Sequence, residues 1–222
     1  MAGAAGDAPK LEVMYFKIAN RGGALRDALR WGGVAFENTH VEFADFKTKK
    51  EAGEFPLGSL PVLVVDGEAH CESIALTLYA AQLAGIAPAG ALDALKVNEI
   101  LCAVEDAQVA FTPVMRGTYA SDDEKHAARL ASVSEGGAVY KYLAFLEKRA
   151  AANAANKPYA VGASMTVADF RLRHIANWMN SGMLDGIPEG HFAKQFPTLA
   201  ANAAAVNDLI KAKCGDDAVS GK

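Results

Sequence analysis

The segment Ser59–Ala81 constrains the fold of this chain more than any other. Pro61 opens the apolar run Val62–Val65, which predicts a short buried strand, because proline is tolerated at the first residue of a strand. Asp66–Gly67 follows, a pair that accepts the positive φ angles of a two-residue hairpin turn. A brief return strand is predicted over residues 69–71. The segment therefore predicts a tight hairpin.

Directly after this hairpin, the sequence predicts the start of a helix. Apolar residues recur at helical spacing after Ser73, which we predict as the N-cap. Free N–H groups at such a start attract a carboxylate, and the adjacent Glu72 suits an ammonium group. A cis Leu60–Pro61 bond would turn the Leu60 backbone outward, toward an extended ligand, but the sequence leaves the isomer open. Together these features fit a small zwitterionic peptide.

The same segment and the chain before it carry a series of short motifs. They read PLGSLPVL at 56–63, DG at 66–67, ESIA at 72–75 and VEFADF at 41–46. Their order and spacing resemble the glutathione-binding half of a cytosolic glutathione S-transferase, and the last motif is similar to the V-E-x-A-D-W of the sigma class. The resemblance is close over about residues 11–83 and looser beyond. The sigma-class spacing also holds at Tyr15, Phe16, Arg21, Arg26, Gly33 and Phe36.

The resemblance implies that Tyr15 and Arg21 are the catalytic residues. In the tyrosine-type classes a hydroxyl at this position holds the glutathione thiolate, and the sigma-class arginine lowers the pKa of the thiol further. A free thiol has a pKa of about 8.5, and lowering it by about two units takes roughly 2.7 kcal/mol. One hydrogen bond to a charged group contributes about 1.5–3 kcal/mol, so a single donor nearly suffices. Without the resemblance, a packed tyrosine and a solvated turn arginine would be the simpler interpretations.

The resemblance also implies a set of residues that bind glutathione. Phe46 and Lys50 fall near its glycyl end, although phenylalanine lacks the indole N–H of the family tryptophan. Lys49 is the alternative to Lys50, because two additional residues precede the proline of the motif. Asp106 corresponds to an aspartate that reaches the glutathione of the neighbouring subunit, or else it is a solvated helical acid. The other predicted glutathione residues are Leu60, Pro61, Glu72, which replaces the sigma-class glutamine, and Ser73.

The second substrate is harder to place. Phe111, Met115 and Tyr119 could line a pocket for a small apolar electrophile, although such helical side chains more often lie in a core. The predicted function is conjugation of the glutathione thiolate to electrophiles of this kind, a detoxification activity. The alternatives are a glutathione-dependent isomerase, as in prostaglandin D synthase, a peroxidase, or a non-enzymatic crystallin-like relative. The presence of both Tyr15 and Arg21 favours an enzyme.

The composition also bears on the binding partners, cofactors and cellular location of the protein. A net charge of −4 gives no electrostatic footprint for nucleic acid or an anionic membrane. Cys71, Cys102 and Cys214 have neither disulfide-framework nor metal-ligand spacing, so we predict no metal and no tightly bound cofactor, with glutathione as co-substrate. The N-terminal MAGAAGDAPK lacks secretory features, and no apolar run approaches the ~20 residues of a bilayer span. We therefore expect a cytoplasmic protein, and the resemblance implies a homodimer.

The predicted fold class is an α/β thioredoxin-like N-terminal domain followed by an all-α helical C-terminal domain. We expect the first domain over residues 1–83, a linker at about 84–90 and the second domain over 91–222. In the first, a strand over 11–16, a helix and a strand over 36–43 form a right-handed unit. Asn20–Gly23 reads as a turn before that helix, and residues 47–59 read as a loop with one helical turn.

The second domain shows only helical periodicity. A long amphipathic helix follows the linker, and a helix from Asp122 to about residue 150 carries Gly136–Gly137 in its interior. Thr166 and Asp169 have the spacing of a capping box, with aspartate in place of the usual glutamate or glutamine. The last predicted helix covers residues 198–213.

Overall fold

A computed structural model describes residues 8–216 of the chain. Its first part is a mixed four-stranded sheet in the order β2-β1-β3-β4, in which β1 pairs parallel with β2 and antiparallel with β3. The strands are β1 (Leu11–Tyr15), β2 (Glu37–His40), β3 (Val62–Val65) and β4 (Glu68–His70). The helices of this part are α1 (Asn20–Trp31), α2 (Phe46–Glu51) and α3 (Ser73–Leu83). The thioredoxin-like topology is confirmed, and α2 is the helical turn expected in the loop over residues 47–59, beginning one residue earlier.

The remainder of the described chain is helical, which confirms the predicted fold class. The helices are α4 (Ala91–Arg116), α5 (Asp122–Val133), α6 (Tyr140–Ala152), α7 (Val167–Met179), α8 (His191–Gln195) and α9 (Pro197–Cys214), with a 3-10 turn at Ala154–Asn156. The connection between α3 and α4 coincides with the predicted linker. The division into two domains at that point stays a prediction, and the outermost residues of both predicted domains lie outside the described residues.

The prediction of a turn at Asn20–Gly23 is wrong, because α1 begins at Asn20. A Cβ atom on Gly22 would lie 2.4 Å from Cδ1 of Tyr15, and one on Gly23 would lie 2.6 Å from Nε2 of His174. Both distances are far shorter than a van der Waals contact. The two glycines therefore mark close packing of the first helical turn and not a reversal of the chain.

The prediction of one helix from Asp122 to about residue 150 is also wrong. Helix α5 ends at Val133 and α6 begins at Tyr140. Gly136 has a φ of 84°, a conformation that glycine adopts far more readily than other residues. The backbone doubles back so tightly that a Cβ atom on Gly137 would lie 2.2 Å from the carbonyl oxygen of Ala131. The glycine pair thus separates two helices. Helix α8 was missed altogether.

Helix α7 is the central helix of the second part, and most of its residues are buried among α1, α4 and α9. Its start confirms the predicted capping box. Oδ2 of Asp169 accepts a hydrogen bond from the backbone N–H of Thr166 at 2.8 Å, and Oδ1 accepts one from Ala160 at 2.7 Å. Burial raises the pKa of the Asp169 carboxyl to about 6, although these hydrogen bonds oppose the rise.

Within residues 8–216, no helix combines the length and the apolar character needed to cross a bilayer. The same part of the chain has no cluster of histidine, cysteine and acidic side chains that could hold a metal ion. The three cysteines are free thiols.

Candidate active site

A cleft of about 230 Å³ lies between the segment that precedes β3, the start of α3, and side chains from α1 and α4. It brings together Arg21, Leu60, Pro61, Glu72 and Ser73, which are five of the predicted site residues. The Leu60–Pro61 peptide bond is cis. The cleft is completed by Ser59, Ile74 and Glu105.

The start of α3 forms one wall of the cleft, and its geometry differs from the prediction. Ser73 is the first helical residue, and Glu72 occupies the N-cap position with a φ of 75° and a ψ of 98°. Ser73 is therefore not the N-cap. The first N–H groups of a helix have no acceptor within it and lie at the positive end of its dipole. A non-glycine residue at positive φ is costly and tends to occur at functional sites. This wall can bind an anion.

Tyr15 lies at the end of β1 and is only 4% exposed. Gly22 leaves room for its ring, and the guanidinium of Arg26 lies 5.4 Å from the ring centroid. Burial raises the pKa of the Tyr15 hydroxyl, while a hydrogen bond with the Arg21 backbone and nearby arginine charges oppose the rise. The hydroxyl is therefore protonated at neutral pH and can act as a hydrogen-bond donor to an anion.

Arg21 is paired with a carboxylate of α4. Its Nε donates to Oε1 of Glu105 at 2.8 Å, and its Nη2 lies 2.6 Å from the same oxygen. Arg171, on α7, donates to the other carboxylate oxygen at 3.1 Å and to Oε1 of Gln108 at 3.3 Å. Sequence reasoning missed Glu105, Gln108 and Arg171. Their separation along the chain leaves no local pattern that could have found them.

The two residues predicted near the glycyl end of glutathione do not line the cleft. Phe46 stacks on Phe55, with ring centroids 5.7 Å apart, and packs in a small hydrophobic cluster under α2. Lys49 is paired with Glu54 at 2.8 Å. Lys50 is exposed, and its side chain lies against Gly58, just before the segment that forms the cleft. The structure therefore favours Lys50 over Lys49 as a residue able to reach a ligand.

The residues predicted from α4 and the loop after it are dispersed. Asp106 is exposed and does not line the cleft of its own chain. Phe111 is fully buried with its ring centroid 5.5 Å from that of Trp178, so its assignment to an open electrophile pocket is wrong. Met115 is half-buried against the main core. The hydroxyl of Tyr119 donates to the carbonyl of Val114 at 3.0 Å and helps to close the end of α4.

Comparisons with known proteins agree with this geometry. The family model of the glutathione S-transferase C-terminal domain matches residues 110–212. Glutathione S-transferase 1 of Ascaris suum is 29% identical over 174 residues, which are 77% of this chain and 81% of that protein.

Solved structures show the same fold. A glutathione S-transferase from Ascaris lumbricoides superposes with a TM-score of 0.71 at 28% identity, covering 90% of this chain and 93% of that one. A sigma class glutathione S-transferase from Fasciola hepatica superposes with a TM-score of 0.74 at 20% identity, covering 96% and 95%. The family match spans the helical part, and the sigma-type motifs lie in the sheet part. The helical part therefore matches the C-terminal domain of glutathione S-transferases, and the chain as a whole resembles cytosolic glutathione S-transferases in sequence and fold.

Proposed function

We propose that the protein is a glutathione S-transferase that transfers the thiolate of glutathione to small apolar electrophiles. The observation that carries the proposal is the cleft. It combines the backbone beside Leu60, the start of α3 and Arg21, and the Tyr15 hydroxyl is hydrogen-bonded to the backbone of that arginine. Each part suits a different group of a zwitterionic tripeptide. Glutathione is in this proposal a co-substrate and not a tightly bound cofactor.

The backbone and charges of the cleft bind the two ends of glutathione. The backbone of Leu60 pairs with the extended peptide, and the N–H groups at Ser73 and Ile74 receive a carboxylate. Glu72 accepts a charge-assisted hydrogen bond from the ammonium group. Lys50 lies on the side of the cleft where Gly58 leads into Ser59, and it attracts the glycyl carboxylate.

The chemical step is attack of sulfur on carbon. Tyr15 donates a hydrogen bond to the thiolate, which contributes about 1.5–3 kcal/mol to its stability relative to the thiol. The thiol proton is released to solvent when glutathione binds. The thiolate lone pair then forms the carbon–sulfur bond, and the leaving group, such as a halide, departs with the electron pair of the bond that breaks. Tyr15 keeps its proton throughout and is not a base.

A Tyr15→Phe variant tests this proposal. With a generic aryl halide as second substrate, we expect the wild-type protein to form the conjugate. We expect the variant to bind glutathione within a few-fold while the pKa of the bound thiol rises, because the hydroxyl that donates to the thiolate is lost. Ultraviolet absorbance of the thiolate, titrated against pH, gives that pKa. An unchanged thiol pKa would remove Tyr15 from the mechanism. Binding of glutathione without turnover by the wild-type protein would favour the non-enzymatic alternative.

We further propose that the protein is a homodimer. An apolar groove of about 470 Å³ lies beside β3, β4 and α3, and Tyr79 at its edge is partly exposed. Leu92 and Leu95, near the start of α4, are each 63% exposed. Burying such apolar surface against a second copy is favourable. In the dimer, Asp106 would approach the glutathione of the neighbouring subunit. Sedimentation at micromolar concentration should show a dimer, and a fully active monomer would refute the proposal.

The state of the cysteines supports a reducing compartment, because Cys71, Cys102 and Cys214 are all free thiols. We therefore place the protein in the cytoplasm. Cell fractionation with a thiol-trapping reagent would test this assignment, and recovery of the protein with oxidised cysteines from a secreted fraction would contradict it.

A further inference from the structure

Glu105 places a negative charge at the wall of the candidate active site. Its carboxylate lines the cleft together with Arg21 and Glu72. It also holds Arg21 through both oxygens: Oε1 lies 2.6 and 2.8 Å from Nη2 and Nε, and Oε2 accepts from Nε at 3.1 Å. A paired guanidinium and carboxylate have no net charge, and a carboxylate near a thiol disfavours the thiolate. Arg21 with Glu105 alone would therefore do little to ionise a bound thiol.

Arg171 approaches the same carboxylate from the protein interior. Its side chain is 2% exposed, and its Nη2 lies 3.1 Å from Oε2 of Glu105, the oxygen opposite the one nearest to Arg21. A guanidinium stays protonated even when buried, although burial lowers the pKa of Arg171. The Nε–H of Arg171 makes no hydrogen bond within residues 8–216. The cluster thus contains two cations and one anion, with a net charge of +1.

A neutral bridge fixes this cluster to the first turn of α1. Oε1 of Gln108 accepts from Arg171 at 3.3 Å, and its Nε2 donates to the side chain of Asn20 at 2.9 Å. Gln108 lies three residues after Glu105 on α4, so both face the same side of the helix. The position of the Arg171 charge is therefore tied to the residue that precedes Arg21.

Other charges near the cleft do not replace that of Arg171. Arg26 lies over the Tyr15 ring and donates to the backbone carbonyls of Phe16 and Ile18. Glu72 lines the cleft and is negative. On α7, the neighbouring Arg173 and His174 face Asp27 of α1 instead.

We propose that Arg171 is a positioning residue that neutralises the Glu105 carboxylate from the protein interior and so leaves the charge of Arg21 available to a bound thiolate. It acts through Glu105 and does not touch the substrate. This inference rests on the proposed function, since it assumes that glutathione binds in the cleft with its sulfur beside Tyr15.

The test compares four variants by the pKa of bound glutathione, measured from thiolate absorbance. Removing a cation at this range should raise that pKa by about one unit, so Arg171→Met should cut the thiolate fraction at neutral pH severalfold. Arg171→Lys keeps the charge and should stay close to wild type. Glu105→Gln removes the anion and keeps an acceptor oxygen for Arg21, so it should lower the pKa. Arg173→Met removes another buried arginine of α7 and should not change it.

Opposite shifts in Arg171→Met and Glu105→Gln would support the inference, because damage to the fold would move both variants in the same direction. An unchanged thiol pKa in Arg171→Met, or a raised one in Glu105→Gln, would overturn it. If Arg171→Met does not fold, the sign of the Glu105→Gln shift decides. Binding of S-methylglutathione, which has no ionisable thiol, separates the two levels of the argument. If the wild-type protein does not bind S-methylglutathione, the proposed function fails. If it binds S-methylglutathione but Arg171→Met leaves the pKa of bound glutathione unchanged, only the role of Arg171 is refuted.

Discussion

Gly22 packs against the ring of Tyr15, whose hydroxyl is the proposed catalytic donor, and a Gly22→Ala variant tests whether this contact fixes the position of that hydroxyl. The added methyl carbon would lie 2.4 Å from Cδ1 and 2.6 Å from Cγ of Tyr15. Carbon atoms pack best at about 3.5–4.0 Å, so the ring must retreat by about 1 Å. Overpacking of this kind costs about 1–3 kcal/mol. The higher helix propensity of alanine returns about 1 kcal/mol. We therefore expect a loss of about 0–2 kcal/mol in the free energy of unfolding.

The loss of activity should be much larger than the loss of stability. A displacement of about 1 Å at a catalytic group can reduce the rate about 100-fold. Gly23→Ala is the matched control, because its methyl group would lie 2.6 Å from Nε2 of His174 and not against Tyr15. Denaturation midpoints should fall in both variants, while kcat/KM with an aryl halide should collapse only in Gly22→Ala. Equal kcat/KM values in the two variants would refute the link between this glycine and the hydroxyl.

Three further variants test other parts of the structure. Asp169→Asn should lower the free energy of unfolding by about 1–3 kcal/mol, because one buried N–H loses its acceptor. The control Asp106→Asn changes an exposed side chain and should alter the free energy of unfolding by no more than about 0.5 kcal/mol. Chemical denaturation of both variants gives the two values. Lys50→Ala should weaken glutathione binding in calorimetry, and Lys49→Ala should not. Burial lowers the pKa of His174, so its contribution to stability is present above about pH 6.5 and is lost as the pH falls through its folded pKa. His174→Gln should flatten that decline.

Local signals predicted the parts of the fold that depend on neighbouring residues. The hairpin after Pro61 follows from an apolar run and an Asp-Gly turn, and the structure has strands at Val62–Val65 and Glu68–His70. The capping box of α7 joins residues three positions apart, so its spacing alone reveals it. In both cases the stabilising partners lie within a few residues of each other.

The glycine pairs and the charge cluster could not be predicted in the same way. Gly22 and Gly23 are turn signals in isolation, and only their contacts with other elements show that they allow close packing. Glu105 contacts Arg21 across 84 positions and Arg171 across 66. A lone helical acid and a lone helical arginine carry no sign of such partners. The family resemblance identified Arg21 but gave no reason to expect its pairing with a carboxylate.

The first turn of α1 couples the active site to the helical part of the molecule. Successive residues of this turn contact different elements. The side chain of Asn20 accepts a hydrogen bond from Gln108 of α4, and that of Arg21 lines the cleft. Gly22 packs against the Tyr15 ring, and Gly23 packs against His174 of α7. Because side chains on a helix diverge by about 100° per residue, one turn can touch all of these neighbours. A shift of α7 relative to α1 would therefore displace both the charge of Arg171 and the turn that holds the catalytic tyrosine. Under the proposed mechanism, the helical part would therefore influence thiolate stability even though the predicted glutathione contacts come mainly from the sheet part.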